Sequence, residues 1–568
     1  MEEPRAPRRP GRVGRRGQGV ALALGLGLLG GAAPARAEDL FGPPDPRIVE
    51  AMRRNGITGT EDLLWSLPLT PQVFPVRDSP DWIVLPGFSM SLERVGEELF
   101  GGPLAPHRLR AILAMTGFLG VEIANYWIGR DLNAPDWELS WTWPSWEKKV
   151  VSGEGLSLDT NRFETNTVMH PFAGTVYYLA ARGNDLGLVE SFALSLLAST
   201  AWEYVAEFRE KVSINDLIMT PAAGLAVGEP LDRLSRFFSA GDGVIPEMLG
   251  VLTSPFRALS DVVTEGTSAR AERLDELGLP ADTWHHFDLF VGAAAIPKNG
   301  ELRAPETQLG VSFDLYDVPE FERPVAVERP VWPGDATRLS LQASLEEGDL
   351  ARFDFHAQTS LGGYLWQDLE AGQDGPSGYN FSVGAATGFG YSMHDWGGWV
   401  DKLGAANLLG VTADLGLYES GLRLRVGASA FADFSAVSSA AIAPYLRERG
   451  SRGIRSILAD RQYYFALGGT FGPGASLGYR GVELGADVQA QVFESIEGLD
   501  RYQAQVTREV DLHDYRLAHR AWLAYTLPGN RLKVTWLTLE QRHRSGSVDT
   551  VRSARSETRL LGGLSLLF

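Results

Sequence analysis

The chain contains no cysteine, which excludes disulfide bridges, lipidated cysteine anchors and any metal or nucleophilic site built on a thiolate. It also lacks an uncharged apolar run of about 18 residues, so a helical inner-membrane protein is not expected. Positive charge is scarce, because 52 lysines and arginines stand against 71 acidic residues and give a net charge of -19. Such an acidic chain does not suit a phosphate backbone, and we expect no nucleic-acid partner.

The N-terminus has the three parts of a secretion signal. A basic lead of six arginines precedes a Leu/Gly/Ala-rich stretch over 20–33, and Ala35-Arg36-Ala37 has the A-x-A form of a cleavage site. The apolar stretch is too short to cross a bilayer as a helix. We therefore expect residues 1–37 to be a cleaved signal peptide. Since these residues carry a net +5, the exported chain would have a charge near -24.

From about residue 286 onward the apolar pattern has a period of two, which is typical of β-strands. Across 422–428, for example, leucine, valine and alanine alternate with arginine and glycine. Twelve segments with this pattern are predicted as strands: 286–296, 306–316, 337–347, 350–365, 378–392, 403–417, 421–434, 461–472, 475–492, 507–526, 530–543 and 556–568.

The length and number of these segments favour a membrane barrel. Most are long enough for a tilted strand to cross a bilayer, and an even count fits a single-chain bacterial barrel. The last residue, Phe568, ends an alternating strand as outer-membrane barrels do. A soluble sandwich also has alternating strands, but these are usually shorter. We predict a barrel with a narrow lumen, and the charged residues expected to face it are Arg423, Arg425, Glu483 and Asp487.

The predicted fold class is α+β, with an N-terminal helical domain followed by a C-terminal antiparallel transmembrane β-barrel of about 12 strands. The expected divisions are a signal peptide (1–37), a Pro-rich irregular segment (38–106), a helical domain (107–240), a helical linker (241–284) and the barrel (285–568). The predicted helices are Arg108–Ile128, Leu186–Lys211, Leu217–Phe238 with a break near Gly228-Glu229-Pro230, Glu247–Leu259 and Ser268–Leu277.

A polar ridge follows the second predicted helix at i, i+4 spacing, through Ser191, Ser195, Ser199, Glu203 and Glu207. The two glutamates are close enough to share a partner. With His170 they could hold a divalent ion or form an acid/base pair. The alternative is structural: Glu203 would pair with Arg182 or Arg209, and Glu207 would face solvent.

Two further motifs add candidate residues. His170-Pro171 reads as a turn that opens a helix, and Ser213-Ile214-Asn215-Asp216 reads as a helix start. Hydrogen bonding and helix capping are their structural alternatives. The candidate catalytic residues are His170, Glu203, Glu207 and Asp216. The other motif residues are Asn166, Arg182, Trp202, Ser213, Asn215 and Glu229. The sequence points to no cofactor and leaves open whether a metal binds.

These motifs carry a resemblance. N-x-x-x-H-P-x-x-G-x-x-Y-Y-x-x-x-R, S-x-x-W-E-Y-x-x-E and S-I-N-D-L-x-x-T-P-x-x-G-x-x-x-G-E resemble an uncharacterised family of bacterial envelope proteins, a domain of unknown function, over about 110–238. The resemblance implies a cell-envelope location and no established activity. The order of a His helix, a Glu helix and S-x-x-D is also similar to small VanZ-like membrane domains, although the glutamine that usually follows their helix glutamate is missing.

Three functions remain open at this point. The first is a non-enzymatic outer-membrane barrel with a periplasmic or lumenal helical domain, acting in envelope maintenance or in passage of small solutes or lipid. The second is a membrane-interface enzyme acting on lipid or another envelope component through the candidate residues. The third is a scaffold that docks a periplasmic protein. The expected partners are outer-membrane lipid, the barrel-assembly machinery during biogenesis and, for the scaffold, that periplasmic protein. The expected location is the outer membrane of a Gram-negative-type bacterium.

Overall fold

The computed structural model describes residues 107–129, 139–140, 142–264, 270–298, 305–373, 375–529 and 531–568, with the backbone of three short strands, Trp82–Leu85, Phe88–Ser91 and Glu301–Leu302. The predicted signal peptide lies outside the described residues, as does nearly all of the Pro-rich segment.

Twelve antiparallel strands close into a ring, as predicted. Each strand pairs with the next along the chain, and the first strand also pairs with the last. The strands are β1 Trp284–Ala295, β2 Glu306–Tyr316, β3 Ala336–Glu346, β4 Asp349–Gly372, β5 Gly375–Asp395, β6 Val400–Glu419, β7 Leu422–Val437, β8 Tyr464–Tyr479, β9 Val482–Ser495, β10 Leu512–Thr526, β11 Leu532–Val548 and β12 Val551–Leu567.

Eleven of the twelve predicted segments overlap one strand each, although several ends differ by five or more residues, and segment 475–492 overlaps both β8 and β9. The break expected near 473–474 is wrong, because Pro473 lies inside β8 opposite Ala428. The turn comes later, at Arg480 and Gly481, whose backbones both have positive φ (48° and 86°). Two consecutive positive-φ residues form the tight turn that suits a hairpin's twist. The ladder hydrogen bonds therefore continue past the proline to this turn.

The strands separate a polar lumen from an apolar outer face. Arg425 and Asp487 line a lumenal cavity of about 640 Å³. Arg423 lies on the same strand face as Arg425, and Glu483 lies on the same strand face as Asp487. The opposite face carries exposed apolar side chains around the barrel. Examples of these are Leu289, Val291, Val411, Leu467, Phe471, Val492 and Leu564.

Charged side chains cross the lumen. Arg352 of β4 contacts Glu540 of β11 at 2.8 Å, although these strands lie on opposite sides of the ring. Arg516 of β10 contacts Asp401 of β6 at 2.6 Å. Nearer one end, Glu322 on the loop after β2 accepts a hydrogen bond from Trp284. Charged side chains therefore bridge strands across the lumen.

The two ends of the barrel are distinguished by their loops. The terminal end holds the start of β1 and the end of β12. The distal end holds two short helices between β7 and β8, Ile442–Arg449 and Ser456–Arg461. Tyr445 and Leu458 from these helices pack in one apolar cluster with Phe493, Leu512 and Val548 of other strands. The β7–β8 connection therefore packs against strands across the distal mouth.

Seven helices precede the barrel in the described chain. They are α1 Arg108–Ile128, α2 Trp143–Val150, α3 His170–Arg182, α4 Leu188–Ala201, α5 Ile214–Ser239, α6 Val244–Thr253 and α7 Pro255–Thr264. Single π-helical turns lead into α3 (Thr165–Met169) and extend α4 (Trp202–Ala206). The helix predicted over Arg108–Ile128 is confirmed as α1, with the same bounds. Among the described residues, α1 is also the one helix long and apolar enough by length and composition to cross a membrane, although Arg108, Arg110 and Glu122 interrupt its apolar run.

Three helix predictions are wrong in their bounds. The helix predicted over Leu186–Lys211 is α4, which ends at Ala201 and is extended only to Ala206 by its π-helical turn. α5 continues through Gly228 and Pro230 without a break. A Cβ on Gly228 would lie 2.5 Å from the Tyr178 ring, so this glycine serves close packing rather than helix termination. The linker helix predicted over Glu247–Leu259 is divided at Ser254, because Pro255 disfavours helical geometry in the residue before it.

The other linker helix, predicted over Ser268–Leu277, does not form in its described part, 270–277. The Asp275 carboxylate accepts hydrogen bonds from the N–H groups of Leu277 and Leu279 at 2.8 and 2.9 Å. Such a local side-chain contact offers the backbone an alternative to the helix. A turn therefore replaces the expected helix.

The helices lie against the outer wall of the barrel. Phe237 and Phe238 of α5 pack on Phe287 and Phe313, which alternate with lumen-facing residues of β1 and β2. Toward the distal end, Thr167 touches Gly404, on the outer face of β6. No residue of the described helical region, 107–264, lines the lumenal cavity. The helices therefore do not plug the lumen, contrary to one of the expected placements.

Candidate functional site

Close contact between α3 and α5 organises the helical domain. A Cβ on Gly174 would lie 1.8 Å from the Thr220 carbonyl oxygen, and a Cβ on Gly224 would lie 2.6 Å from the Gly174 carbonyl oxygen. Gly224 and Gly228 form a G-x-x-x-G pair on α5, a spacing that lets helix backbones approach closely. This contact separates two groups of buried polar side chains, one at each end of the helix pair.

The first group lies at the distal end, and we call it the distal cluster: Asp159, His170, Glu203 and Asp216. His170 Nε2 is 3.3 Å from Asp216 Oδ1. One ligand atom from each of Asp159, His170 and Asp216 lies within 4.8 Å of the others. His170 begins α3 and Asp216 lies in the first turn of α5, so helix packing brings them together.

Asparagine side chains hold Asp159 in place. Asn166 Nδ2 donates to Asp159 Oδ1 at 2.6 Å, and Asn161 Nδ2 donates to Oδ2 at the same distance. The Asp159 N–H donates to Asn215 Oδ1 at 2.9 Å. The predicted motif residues Asn166 and Asn215 thus orient an aspartate that the sequence motifs did not single out.

The barrel contributes a tyrosine to the same place. Asn166 Nδ2 also donates to the hydroxyl of Tyr463, which directly precedes β8 and lies 297 residues away in sequence. The Tyr463 hydroxyl in turn donates to the Asn161 carbonyl at 2.8 Å. Nothing in the local sequence signals this residue, because its role depends on how the two parts of the chain pack.

Glu203 is fully buried, but it does not pair with an arginine as the structural alternative proposed. Its Oε2 accepts a 2.7 Å hydrogen bond from the Ser213 N–H, and its Oε1 has no hydrogen-bond partner. Arg182 instead pairs with Glu229, at the other end of α3. Glu207 is half-buried at the end of the π-helical turn and does not face solvent freely.

Both π-helical turns of the domain border the distal cluster. One leads directly into His170, and the other contains Trp202 and Glu203. The Trp202 ring packs edge-on against Tyr126 of α1, with centroids 5.7 Å apart. π-Helical turns are rare and occur frequently at functional sites. Two such turns beside the distal cluster therefore favour this end of the domain as the candidate site.

The second group lies nearer the terminal end, and we call it the ionic cluster: Arg182, Glu229, Asp232, Arg233, Arg236 and Arg257. Arg182 binds Glu229 with two hydrogen bonds of 2.8 and 2.7 Å, and the Tyr178 hydroxyl adds a third at 2.7 Å. Asp232 accepts from Arg236 at 2.7 Å and from Arg257 at 2.9 Å. Every carboxylate here is matched by arginine, so Arg182 and Glu229 have structural roles.

The distal cluster lacks such compensation. Across the described chain, no lysine or arginine lies within 4.0 Å of the carboxylate of Asp159, Glu203 or Asp216, and the one ion-pair contact is with His170. Burying carboxylates without partners is costly. The arrangement therefore suits a bound cation or a proton, and its side chains are the imidazole and carboxyl groups used in acid–base chemistry.

The predicted polar ridge on α4 faces inward. Ser191, Ser195 and Ser199 are buried; the Ser195 hydroxyl donates to the Gly174 carbonyl and that of Ser199 to the Asp216 carbonyl, both at 3.2 Å. The outward face of the same helix is apolar, with Leu197 59 % exposed. This is the reverse of a surface helix in a water-soluble protein.

His170 links the distal cluster to the protein surface. Its side chain is 17 % exposed, whereas that of Asp216 is 2 % exposed. The surrounding exposed residues are apolar: Val168, Met169 and Phe172 are 41 %, 59 % and 57 % exposed. A ligand reaching His170 would therefore approach across an apolar surface.

Comparison with known proteins gives a family match over part of the helical domain. The family model for a domain of unknown function, DUF3943, matches residues 155–256, which include the distal cluster and every residue of the ionic cluster except Arg257. No curated protein matches the chain.

Half of the chain aligns with solved outer-membrane barrels at low sequence identity. The β domain of the Bordetella autotransporter BrkA aligns over its whole length at 11 % identity and a TM-score of 0.20. A loop-deleted OmpT of Vibrio cholerae aligns over 99 % of its length, with 8 % sequence identity and a TM-score of 0.19. The NalP translocator domain of Neisseria meningitidis aligns over 88 % of its length, with 12 % sequence identity and a TM-score of 0.17.

Proposed function

We propose that this chain is an outer-membrane protein of a Gram-negative-type bacterium that acts in envelope maintenance rather than solute passage. In this proposal the barrel is a closed anchor, and the helical domain lies beside it in the same bilayer. The observation that carries the proposal is the inverted burial of the helices, which turn polar side chains inward and apolar side chains outward.

The helices expose apolar residues on their outward faces. On α1, Leu109 and Val121 are 60 % and 68 % exposed. On α6, Ile245 and Leu252 are 72 % and 77 % exposed. Soluble proteins rarely expose contiguous apolar patches of this kind. Lipid would cover this face and the apolar outer face of the barrel alike.

Helix lengths agree with this placement. At 1.5 Å per residue, the 21 residues of α1 span about 31 Å and the 26 residues of α5 about 39 Å. The hydrocarbon core of a bilayer is about 30 Å thick. Since α5 lies along the barrel wall between its two ends, the helices and strands would cross the same layer.

The bridged lumen argues against free passage of solutes. The Arg352–Glu540 and Arg516–Asp401 contacts connect strands on different sides of the ring. A wide aqueous channel requires more strands than twelve, as in porins with 16–18. The barrel is therefore better suited to anchoring than to conduction.

The absence of native cysteine makes the membrane placement directly testable. Val121→Cys and Leu197→Cys, on the outward faces of α1 and α4, should react in intact outer membranes with a lipid-soluble maleimide but not with a water-soluble one. Leu467→Cys on the barrel belt, 58 % exposed, should behave in the same way. Glu448→Cys, on a distal-end helix, should react with both reagents. Equal labelling of Val121→Cys and Glu448→Cys by the water-soluble reagent would refute the placement.

The maintenance role predicts a permeability phenotype. A strain lacking the chain should take up more of an apolar fluorescent dye, and the wild-type chain should restore the barrier. A passage role predicts the opposite pattern, in which dye uptake is unchanged and uptake of a small solute falls. Measuring both in one strain therefore decides between the two roles.

A second candidate function is a membrane-interface enzyme acting on a lipid-borne substrate. It is favoured by the convergence of His170 and Asp216 beside an exposed apolar surface. His170 would act as the general base or acid, and Asp216 would orient its imidazole. The purified protein in vesicles of outer-membrane lipids should then generate new lipid species detectable by mass spectrometry. The His170→Gln variant should not generate them, and the absence of any product with the wild type would reject this candidate.

A further inference from the structure

We infer that Asp159, His170 and Asp216 bind one divalent transition-metal ion. The three side chains come from separate segments, and their ligand atoms all lie within 4.8 Å of one another. A metal that bonds to each at about 2.0–2.2 Å would fit between atoms so spaced. His170 Nε2 approaches Asp216 Oδ1 to 3.3 Å without making a hydrogen bond, as two ligands of one ion do.

A second observation is independent of this spacing. Asn166 is wholly buried and its amide reaches the Asp159 carboxylate, yet its Oδ1 has no hydrogen-bond partner. The wholly buried Glu203 likewise leaves Oε1 without one. Buried polar atoms are normally satisfied, so two such atoms in one cluster call for a missing ligand. A cation, or water bound to it, would satisfy them.

The charge of the cluster points the same way. Asp159, Glu203 and Asp216 are buried together, with no lysine or arginine within 4.0 Å in the described chain. The ionic cluster of the same domain shows how this chain otherwise neutralises buried carboxylates, namely with arginine. A divalent ion would supply the compensating charge that side chains do not supply here.

The donor atoms indicate the class of metal. One imidazole nitrogen with carboxylate oxygens suits Zn²⁺, Mn²⁺ or Fe²⁺, whereas Mg²⁺ and Ca²⁺ prefer oxygen alone. Asn161 and Asn166 donate hydrogen bonds to the Asp159 carboxylate, and Asn215 Oδ1 accepts one from the Asp159 N–H, so these asparagines fix the aspartate as outer-shell groups do in metal sites. Three protein ligands would leave at least one position for water or substrate.

The test is metal binding by the full-length protein in detergent after stripping with EDTA. Calorimetric titration with Zn²⁺ and with Mn²⁺ should show one site for at least one of them. Asp216→Asn and His170→Gln should each weaken that binding at least about tenfold, because loss of an outer-shell partner alone costs 10–100-fold. Asp159→Asn provides a third, equally conservative variant.

Matched controls come from the barrel. Asp433→Asn changes a buried aspartate bound to Asn407 and Thr470, and His356→Gln changes a lumenal histidine. Both should bind metal as the wild type does. Heat-modifiable gel mobility verifies that each variant is folded. The inference is overturned if neither ion binds, or if the cluster variants bind as tightly as the controls. Because binding is measured without any reaction, this result is independent of the proposed function.

Discussion

The two polar clusters of the helical domain both include residues of α3 and α5, but they differ in whether their buried carboxyl groups have basic partners. In the ionic cluster, Glu229 and Asp232 are each held by at least two arginines. In the distal cluster, the carboxylates of Asp159 and Asp216 have no lysine or arginine partner within 4.0 Å in the described structure. Arginines therefore neutralise the carboxylates at one end of the α3–α5 pair, whereas the carboxyl groups at the other end have no basic partner of this kind.

This difference favours a structural role for the ionic cluster and is the basis of the function proposed for the distal cluster. A buried ion-pair network with all its partners holds helices in register, and it is damaged when one partner is removed. A buried cluster with unsatisfied atoms is costly, and such strain occurs at functional sites. Of the sequence motif Tyr177-Tyr178…Arg182, Tyr178 and Arg182 thus belong to the ionic cluster, whereas His170 belongs to the cluster for which we propose a function.

The largest expected effect comes from breaking the ionic cluster. Arg182→Ala should lower the free energy of unfolding by about 3–5 kcal/mol, because it leaves Glu229 buried with fewer partners. The loss would appear as a lower melting temperature of the helical circular dichroism signal in detergent. Arg108→Ala is the matched control, since Arg108 is 60 % exposed in its pair with Glu190 and should change stability by about 1 kcal/mol or less. Similar shifts for both variants would contradict the structural role.

The next effect tests the contact that separates the clusters. Gly224→Ala places a Cβ 2.6 Å from the Gly174 carbonyl oxygen, so α3 and α5 must move apart. Overpacking of this kind costs about 1–3 kcal/mol. The control is Gly117→Ala on α1, where a Cβ meets nothing within 4 Å and helix propensity should improve. Melting temperatures should therefore fall for Gly224→Ala and hold or rise for Gly117→Ala.

The sequence predicts the barrel better than it predicts the site. Strand alternation is local, so twelve strands follow from the period of two. The polar ridge of α4 is also visible in sequence, but its direction is not, because the polar face of this helix is buried and its apolar face is exposed. Asp159 and Tyr463 escape prediction since their roles depend on packing between distant segments. Pairing Glu203 with Arg182 was wrong because α3 places Arg182 about a helix length away from the distal cluster.

A smaller effect, of opposite sign, should follow from neutralising the distal cluster. Asp216→Asn removes one buried ionisable carboxyl group and nearly preserves side-chain shape. In EDTA the variant should be as stable as the wild type or more stable by about 1 kcal/mol, because an uncompensated buried carboxylate is costly. Asp232→Asn is the paired comparison, and it should destabilise because Arg236 and Arg257 lose their common partner. If both substitutions destabilised equally, the two clusters would not differ in charge compensation.

The smallest effect on stability, and the most specific, is expected for His170→Gln. The His170 side chain is partly exposed and Nε2 makes no hydrogen bond, so in EDTA the substitution should change stability by less than about 0.5 kcal/mol. A ligand that binds only the folded state stabilises it by mass action. Excess Zn²⁺ or Mn²⁺ should therefore raise the melting temperature of the wild type and of His356→Gln, but not that of His170→Gln. An equal rise in all three proteins would place the metal elsewhere, and a loss of stability in EDTA would make His170 a structural residue.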